Sequence, residues 1–288
     1  MLNNIRTKQT IVVAAVLLLV VFLFTRDIKG LVKPKEQTSS VPANSELSNA
    51  ESPQIDLTQV STAGKNTINA SLAAEITSLE NEYKSAKDAE QVKIAGTLAQ
   101  KWDDVEQSVP SALYLEIIAN QQKTLQSWLN AGGKFMKAYD NNSDSTLQMP
   151  LLQKANAAYT AAVAIDSTNL EAKTGLGVTI VNGMGMPMQG IAMLLDVVKK
   201  DPTNLKANMS LGIFAIKSGQ FDKAITRFKD ILSIKPSPDA YFYMATAYEN
   251  LGKNQEAIDA YLSSKRLAAN PSLTKFIDNK VAELKAKK

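Results

Sequence analysis

Residues 205–237 read LKANMSLGIFAIKSGQFDKAITRFKDILSIKPS. Leu211 and Gly212 lie within a first apolar-patterned stretch, Gly219 breaks it, and Ala224 and Phe228 belong to a second stretch that Pro236 ends. A glycine between two such stretches predicts a pair of helices folded back on each other. The plan recurs on both sides. Gly219, Ala224 and Phe228 reappear 33 residues later as Gly252, Ala257 and Tyr261. Asn169-Leu170-Glu171-Ala172 reappears 35 residues later as Asn204-Leu205-Lys206-Ala207, each followed by a Leu-Gly pair, Leu176-Gly177 and Leu211-Gly212. One hairpin cannot cover its own apolar face, so a period of this length predicts several hairpins stacked in a row.

This pattern resembles the tetratricopeptide repeat (TPR). In 205–237 the family's positions are held by Leu211 and Gly212, by Gly219 and Phe221 at the turn, by Ala224 and Phe228, and by Pro236 at the exit. In 238–271 they are held by Tyr241, Ala245, Tyr248, Gly252, Ala257 and Tyr261, with Pro271 slightly late. Residues 170–203 keep Leu176, Gly177, Leu194 and Pro202, but Gly190 stands where the second helix normally carries alanine. Residues 125–168 keep Trp128, Gly132, Phe135, Ala155, Tyr159 and Ala162 around about eleven extra residues, Asp140–Pro150. Glycine and alanine serve where the two helices of a hairpin approach closely, aromatics fill the gaps between hairpins, and Asp201-Pro202 ends one hairpin and opens the next.

The resemblance implies a function as well as a fold. In this family the first helix of each hairpin lines a groove, and carrying its groove positions over yields Leu129, Met136 and Lys137; Val178 and Asn182; Lys206, Met209, Ile213, Ile216 and Lys217; and Phe242, Thr246, Glu249 and Asn250. Members that grip the acidic tails of heat-shock chaperones use Lys and Asn at two of these places, which here hold Leu129/Gly133, Thr174/Val178, Met209/Ile213 and Phe242/Thr246. That clamp is absent. An apolar lining instead suits an amphipathic helix or extended apolar segment of a partner protein. The chain's own tether or N-terminal helix is the competing occupant, and further copies of the chain are another open partner.

Outward from the repeats, residues 67–88 place Ile68, Leu72, Ile76, Leu79 and Tyr83 on one helical stripe, and 90–106 continue with Val92, Ile94, Leu98 and Trp102. Pro110 takes the first helical position before a further helix over 111–119. Residues 92–122 are a candidate degenerate repeat. At the other end, 272–288 reads as a capping helix with Leu273, Phe276, Ile277, Val281 and Leu284 inward and its lysines outward.

The N-terminus differs in kind. Residues 10–25, TIVVAAVLLLVVFLFT, are an unbroken apolar run between Lys8 and Arg26. As a helix it spans roughly 24 Å, and snorkelling by its flanking cations lets it cross a slightly thinned bilayer. A cleaved signal peptide needs small residues just beyond the run, and Arg26-Asp27-Ile28-Lys29 has none. A buried core helix needs partner elements, whereas Pro34–Lys65 is rich in Ser, Pro, Asn and Glu and reads as a tether reaching roughly 30 Å. A basic N-terminus before a first apolar run resembles a bacterial signal anchor with the bulk of the chain outside; the reversed orientation is the rival, because both flanks are basic.

Composition excludes whole classes of chemistry. There is no cysteine and no histidine, hence no thiol nucleophile, disulfide, iron–sulfur cluster, thiolate or imidazole metal site, or histidine triad. Net charge is +4, but residues 1–35 carry six basic side chains and one acid, so the remainder is close to neutral at −1. Nucleic acid is therefore not the expected partner. Met184, Met186 and Met188 alternate in a string whose thioethers suit Cu(I), although its place between two repeat helices favours a packing role for them. Gly175-Leu-Gly177 lacks the third glycine of a dinucleotide loop, and Asp103, Asp104 and Glu106 read as a solvated acidic face.

The expected object is an all-α tetratricopeptide α-solenoid behind a single N-terminal transmembrane helix. Its parts are a short basic terminus (1–9), an anchor (10–26), a flexible linker (27–66), N-terminal helices (67–124), repeats (125–168, 170–203, 205–237 and 238–271) and a capping helix (272–288). The expected role is a non-catalytic scaffold in the bacterial inner membrane, with its N-terminus cytoplasmic and its repeats periplasmic. It would have no cofactor, no resident metal and no catalytic residue, and copper handling through the methionine string is the alternative. The layout resembles the ancillary subunit of the bacterial protein-translocation channel and the repeat modules of cytochrome c assembly.

Overall fold

The computed structural model describes residues 55–286. The anchor over 10–26, the basic terminus before it and most of the expected linker lie outside the described residues. Among those described there is no strand, and thirteen helices follow one another through short turns. They are α1 (Leu57–Lys65), α2 (Ala70–Ser85), α3 (Asp88–Asp104), α4 (Ser108–Gln122), α5 (Leu125–Asn141), α6 (Ser145–Ile165) and α7 (Leu170–Gly183). The rest are α8 (Pro187–Lys200), α9 (Leu205–Lys217), α10 (Phe221–Ile234), α11 (Pro238–Asn250), α12 (Asn254–Leu267) and α13 (Pro271–Ala286).

The recurring linkers show why the helices start where they do. Asn169 and Asn204 cap α7 and α9, each side chain accepting from the backbone N–H three residues on, at 2.9 and 3.0 Å. Just before them, Asp166 and Asp201 each accept from the backbone N–H and the hydroxyl of a threonine two residues later, Thr168 and Thr203. The same tight aspartate turn thus delivers the same cap twice, satisfying N–H groups that a helix start leaves free. Ser237 caps α11 in the same way. Between the helices of a hairpin the chain must reverse sharply, and Gly219 and Gly252 do so with φ of +73° and +69°, a region that side chains disfavour.

Helices pack against their sequence neighbours, and α5, α7, α9 and α11 also touch one another in succession. This places the first helices of four hairpins in one layer and their partners α6, α8, α10 and α12 in another, with α13 closing the end. Aromatic rings join the layers. A Cβ on Gly132 would stand 3.0 Å from the Tyr159 ring, and one on Gly212 would stand 2.7 Å from Phe228. At the α7–α8 hairpin the crossing is closer still, since a Cβ on Gly190 would lie 2.7 Å from the Gly177 carbonyl oxygen. That backbone approach is why glycine replaces the family's alanine there.

The structure departs from the sequence reading in several places. The linker expected to run to Asn66 is helical from Leu57: Asp56 caps α1, Ser61 and Lys65 both bond Glu80 of α2, and Gly64 packs against the Trp102 ring. Its few apolar residues hid a helix that tertiary contacts hold. Of the eleven extra residues, 145–150 lengthen α6, which carries Pro150 in its body, and 142–144 join it to α5. Pro110 is third in α4, not first; its missing N–H still falls among those without intrahelical partners. In the capping helix Ile277, Val281 and Leu284 are buried as expected, whereas Phe276 is 46% exposed.

Candidate protein-binding groove

Successive contact between α5, α7, α9 and α11 brings the expected groove positions onto one face, though not equally open. Leu129 and Met136 of α5 and Val178 of α7 are only 5–6% exposed and belong to the hydrophobic core, which corrects their assignment to an open lining. The cause is the Tyr159 ring. It enters the notch at Gly132 on α5 and presses on Gly175 of α7, where a Cβ would lie only 2.2 Å from it. The glycines let two helices close around one ring, and the side chains between them are shut in.

Charged positions in this half are committed as well. Lys137 bonds Asp103 of α3 at 2.8 Å, and Lys134 bonds the same carboxylate oxygen at 2.7 Å. The two lysines hold the Asp103 carboxyl below the usual carboxylate range. Asp103 therefore ties α3 to α5, where sequence reading had placed it on a solvated acidic face. Lys206 lies 5.8 Å from the Tyr159 ring centroid, a cation–π distance. Desolvation raises the Asp140 pKa against the opposing influence of Lys206. Burial, with Glu171 and Asp140 nearby, pushes the Tyr159 phenol up to about 12.

At the far end the capping helix covers the groove positions of the last hairpin. Phe242 of α11 sits against Phe276 of α13 with centroids 5.8 Å apart, and against Tyr261 of α12 at 5.6 Å. Glu249 accepts from the Tyr261 hydroxyl and from Lys280 of α13, both at 2.9 Å. Thr246 donates to the Phe242 carbonyl, and exposed Asn250 donates to the Thr246 carbonyl.

What remains open is centred on α9. Met209, Ile213 and Ile216 are half-buried, with exposed Lys206 and Lys217 at the two ends of the helix. Val178 and Asn182 of α7 meet Ile213 and Lys217 around a small pocket of about 60 Å³ whose floor includes Phe214. An apolar side chain of modest size fits there, with an amide and an ammonium at the rim to meet main-chain or acidic groups. Sequence reading had offered Val178, Asn182, Ile213 and Lys217 as groove positions. It missed Ser210 and Phe214, which fall between the family's groove positions.

Met184 and Met186 lie in the α7–α8 turn, between two repeat helices as expected, and Met188 is the second residue of α8. Met184 packs against the core as expected, but Met186 and Met188 are 57% and 71% exposed. Among the described residues no three acidic side chains cluster as a metal site, and no helix is long and apolar enough to cross a membrane.

Residues 239–265 match the family model of the tetratricopeptide repeat. No curated protein matches the chain. Among solved structures, a thermophilic TPR protein of Thermus thermophilus resembles it with a TM-score of 0.54 at 16% identity, over 66% of this chain and 99% of that one. PilW, a widely conserved type IV pilus biogenesis factor, resembles it with a TM-score of 0.51 at 18% identity, over 69% of this chain and 93% of that one. Repeat spacing, helix pairing and these likenesses converge: the described residues form an all-helical solenoid of the tetratricopeptide-repeat type.

Proposed function

We propose that this chain is a membrane-tethered, non-catalytic adaptor that binds a helix or extended segment of a partner protein along α9. The supporting observation is the uncovered stretch Met209–Ile213–Ile216 beside the α7–α9 pocket, in a solenoid whose neighbouring first helices have their apolar groove side chains Leu129, Met136 and Val178 buried and Phe242 capped. An apolar strip with cations at both ends suits a ligand carrying apolar anchors and an acidic flank. The apolar run over 10–25 supports anchorage in a bacterial inner membrane with the repeats periplasmic, in envelope protein assembly or translocation.

A photo-crosslinking residue at Ile213, introduced in cells, tests the binding reading. One adduct that forms at 213 but not at outward-facing Ile165, and that Met209→Glu abolishes, is the expected result; equal labelling at both sites refutes it. A reporter fused after Lys288 tests orientation, since activity confined to the cytoplasm refutes the periplasmic placement.

The exposure of Met186 and Met188 favours one second reading, Cu(I) binding by the thioether string. Unchanged Cu(I) affinity in a Met184/Met186/Met188→Leu variant removes it.

A further inference from the structure

Among the second helices, α8 and α10 leave a cleft of about 190 Å³ between them, floored by α9, whose Phe214 also lines the groove pocket. Its walls are Ile191 and Leu195 from α8 and Leu211 and Phe214 from α9. Leu195 is 44% exposed, and Met188, one helical stripe further along α8, is 71% exposed. Met188, Ile191 and Leu195 follow spacings of three and four, so an apolar strip on the outside of α8 runs into the cleft.

The opposite wall is basic. Lys223 and Arg227 of α10 line the cleft one turn apart, and no carboxylate lines it. Among the described residues neither takes part in an ion pair. Lys223 reaches only the Gln220 side-chain carbonyl at 2.7 Å, and Arg227 gives one N–H to the Asn208 side chain at 3.1 Å. That bond fixes the guanidinium at the edge of the cleft while its other donors stay free. The nearest acid on α8, Asp196, is already shared by Lys173 and Lys200.

We propose that this cleft is a second docking site, taking a segment of a partner protein in which a carboxylate stands beside a leucine-sized side chain. The apolar walls accept the side chain, and Lys223 and Arg227 accept the charge. A lipid surface is the poorer occupant. Asp222 and Asp230 are also exposed on α10, so the face is not broadly cationic, and the cleft suits one side chain better than a plane of headgroups. The site shares Phe214 with the α7–α9 pocket, but its charged wall, Lys223 and Arg227, and its outer apolar wall, Ile191 and Leu195, belong to α10 and α8.

The test uses the full chain and a fluorescein-labelled peptide of about 14 residues, two Leu-Glu-Glu-Leu-Leu-Lys-Glu heptads, followed by fluorescence anisotropy. The expected result is binding that weakens at least about fivefold in Lys223→Glu, in Leu195→Gln, and when the peptide glutamates become glutamines. Both protein substitutions are at exposed positions. Ile213→Glu, in the groove, is expected to leave this binding unchanged. Absent binding, equal binding to both cleft variants and the unsubstituted chain, or loss in Ile213→Glu alone overturns the proposal. So does Lys223-dependent binding to phosphatidylglycerol vesicles with none to the peptide.

Discussion

Gly175→Ala should destabilise the solenoid, although alanine is the better helix former. Gly175 lies inside α7, where the exchange alone would add roughly 0.8–1 kcal/mol of stability. Its new Cβ, however, would stand 2.2, 2.3 and 2.5 Å from three atoms of the Tyr159 ring. The ring is stiff and only 2% exposed, and the same ring edge also packs on Gly132, so it has little room to retreat. Overpacking costs about 1–3 kcal/mol, and contacts this short belong at the upper end, about 3, so after the propensity gain a net loss of about 2 kcal/mol is expected. With a urea slope of about 2–3 kcal/mol/M, the midpoint should fall by roughly 0.7–1 M, read by far-ultraviolet circular dichroism. Gly96→Ala on α3 is the control: its Cβ meets nothing nearer than an Ile118 methyl at 4.0 Å, and its midpoint should rise. Tyr159→Leu should remove most of the Gly175→Ala penalty in a double-mutant cycle. A Gly175→Ala variant as stable as Gly96→Ala, or a penalty that persists without the ring, refutes the account of how α5 and α7 close.

Gly190→Ala inserts the residue the repeat family prefers, yet its Cβ would strike the Gly177 carbonyl and the Val181 amide, both backbone, so a loss of about 2 kcal/mol or more is expected by urea denaturation. Ser264 is fully buried and its hydroxyl has no partner, so Ser264→Ala should be neutral or stabilise by up to about 1 kcal/mol. Asp103→Asn should cost about 1 kcal/mol at neutral pH. Because Lys134 and Lys137 lower the folded-state pKa, that stabilisation exists above the ordinary carboxylate pKa and fades as pH falls through the folded value, so wild type and variant should converge in acid. Phe276→Ala should speed amide exchange in α13 while leaving α7 protected, read by hydrogen exchange.

The hairpins were legible because their signals are local. A glycine that breaks a helix at a turn and a proline that opens the next helix act within a few residues of sequence, and Gly219, Gly252 and Pro187 did so. The capping helix was legible for the same reason, through Ile277, Val281 and Leu284. α1 was not, since Thr58, Gln59, Ser61, Thr62 and Gly64 carry no apolar stripe and the helix depends on Glu80 and Trp102, distant in sequence. Closure of the groove at Leu129, Met136 and Val178 was hidden too. It arises from one ring wedged between two glycines on different hairpins, a relation no single helix displays.

The apolar interior is divided partway along α9: Leu211 belongs to the larger cluster reaching back to Ile55, and Ala215, one turn later, to the cluster that ends at Leu284. Where these two of its apolar clusters are joined through one spindle, the solenoid is weakest at the spindle. Melting can halt there, leaving one half ordered while the other frays. Any molecule gripping that spindle would lock both halves together, so its affinity should show up as the merging of two unfolding steps into one.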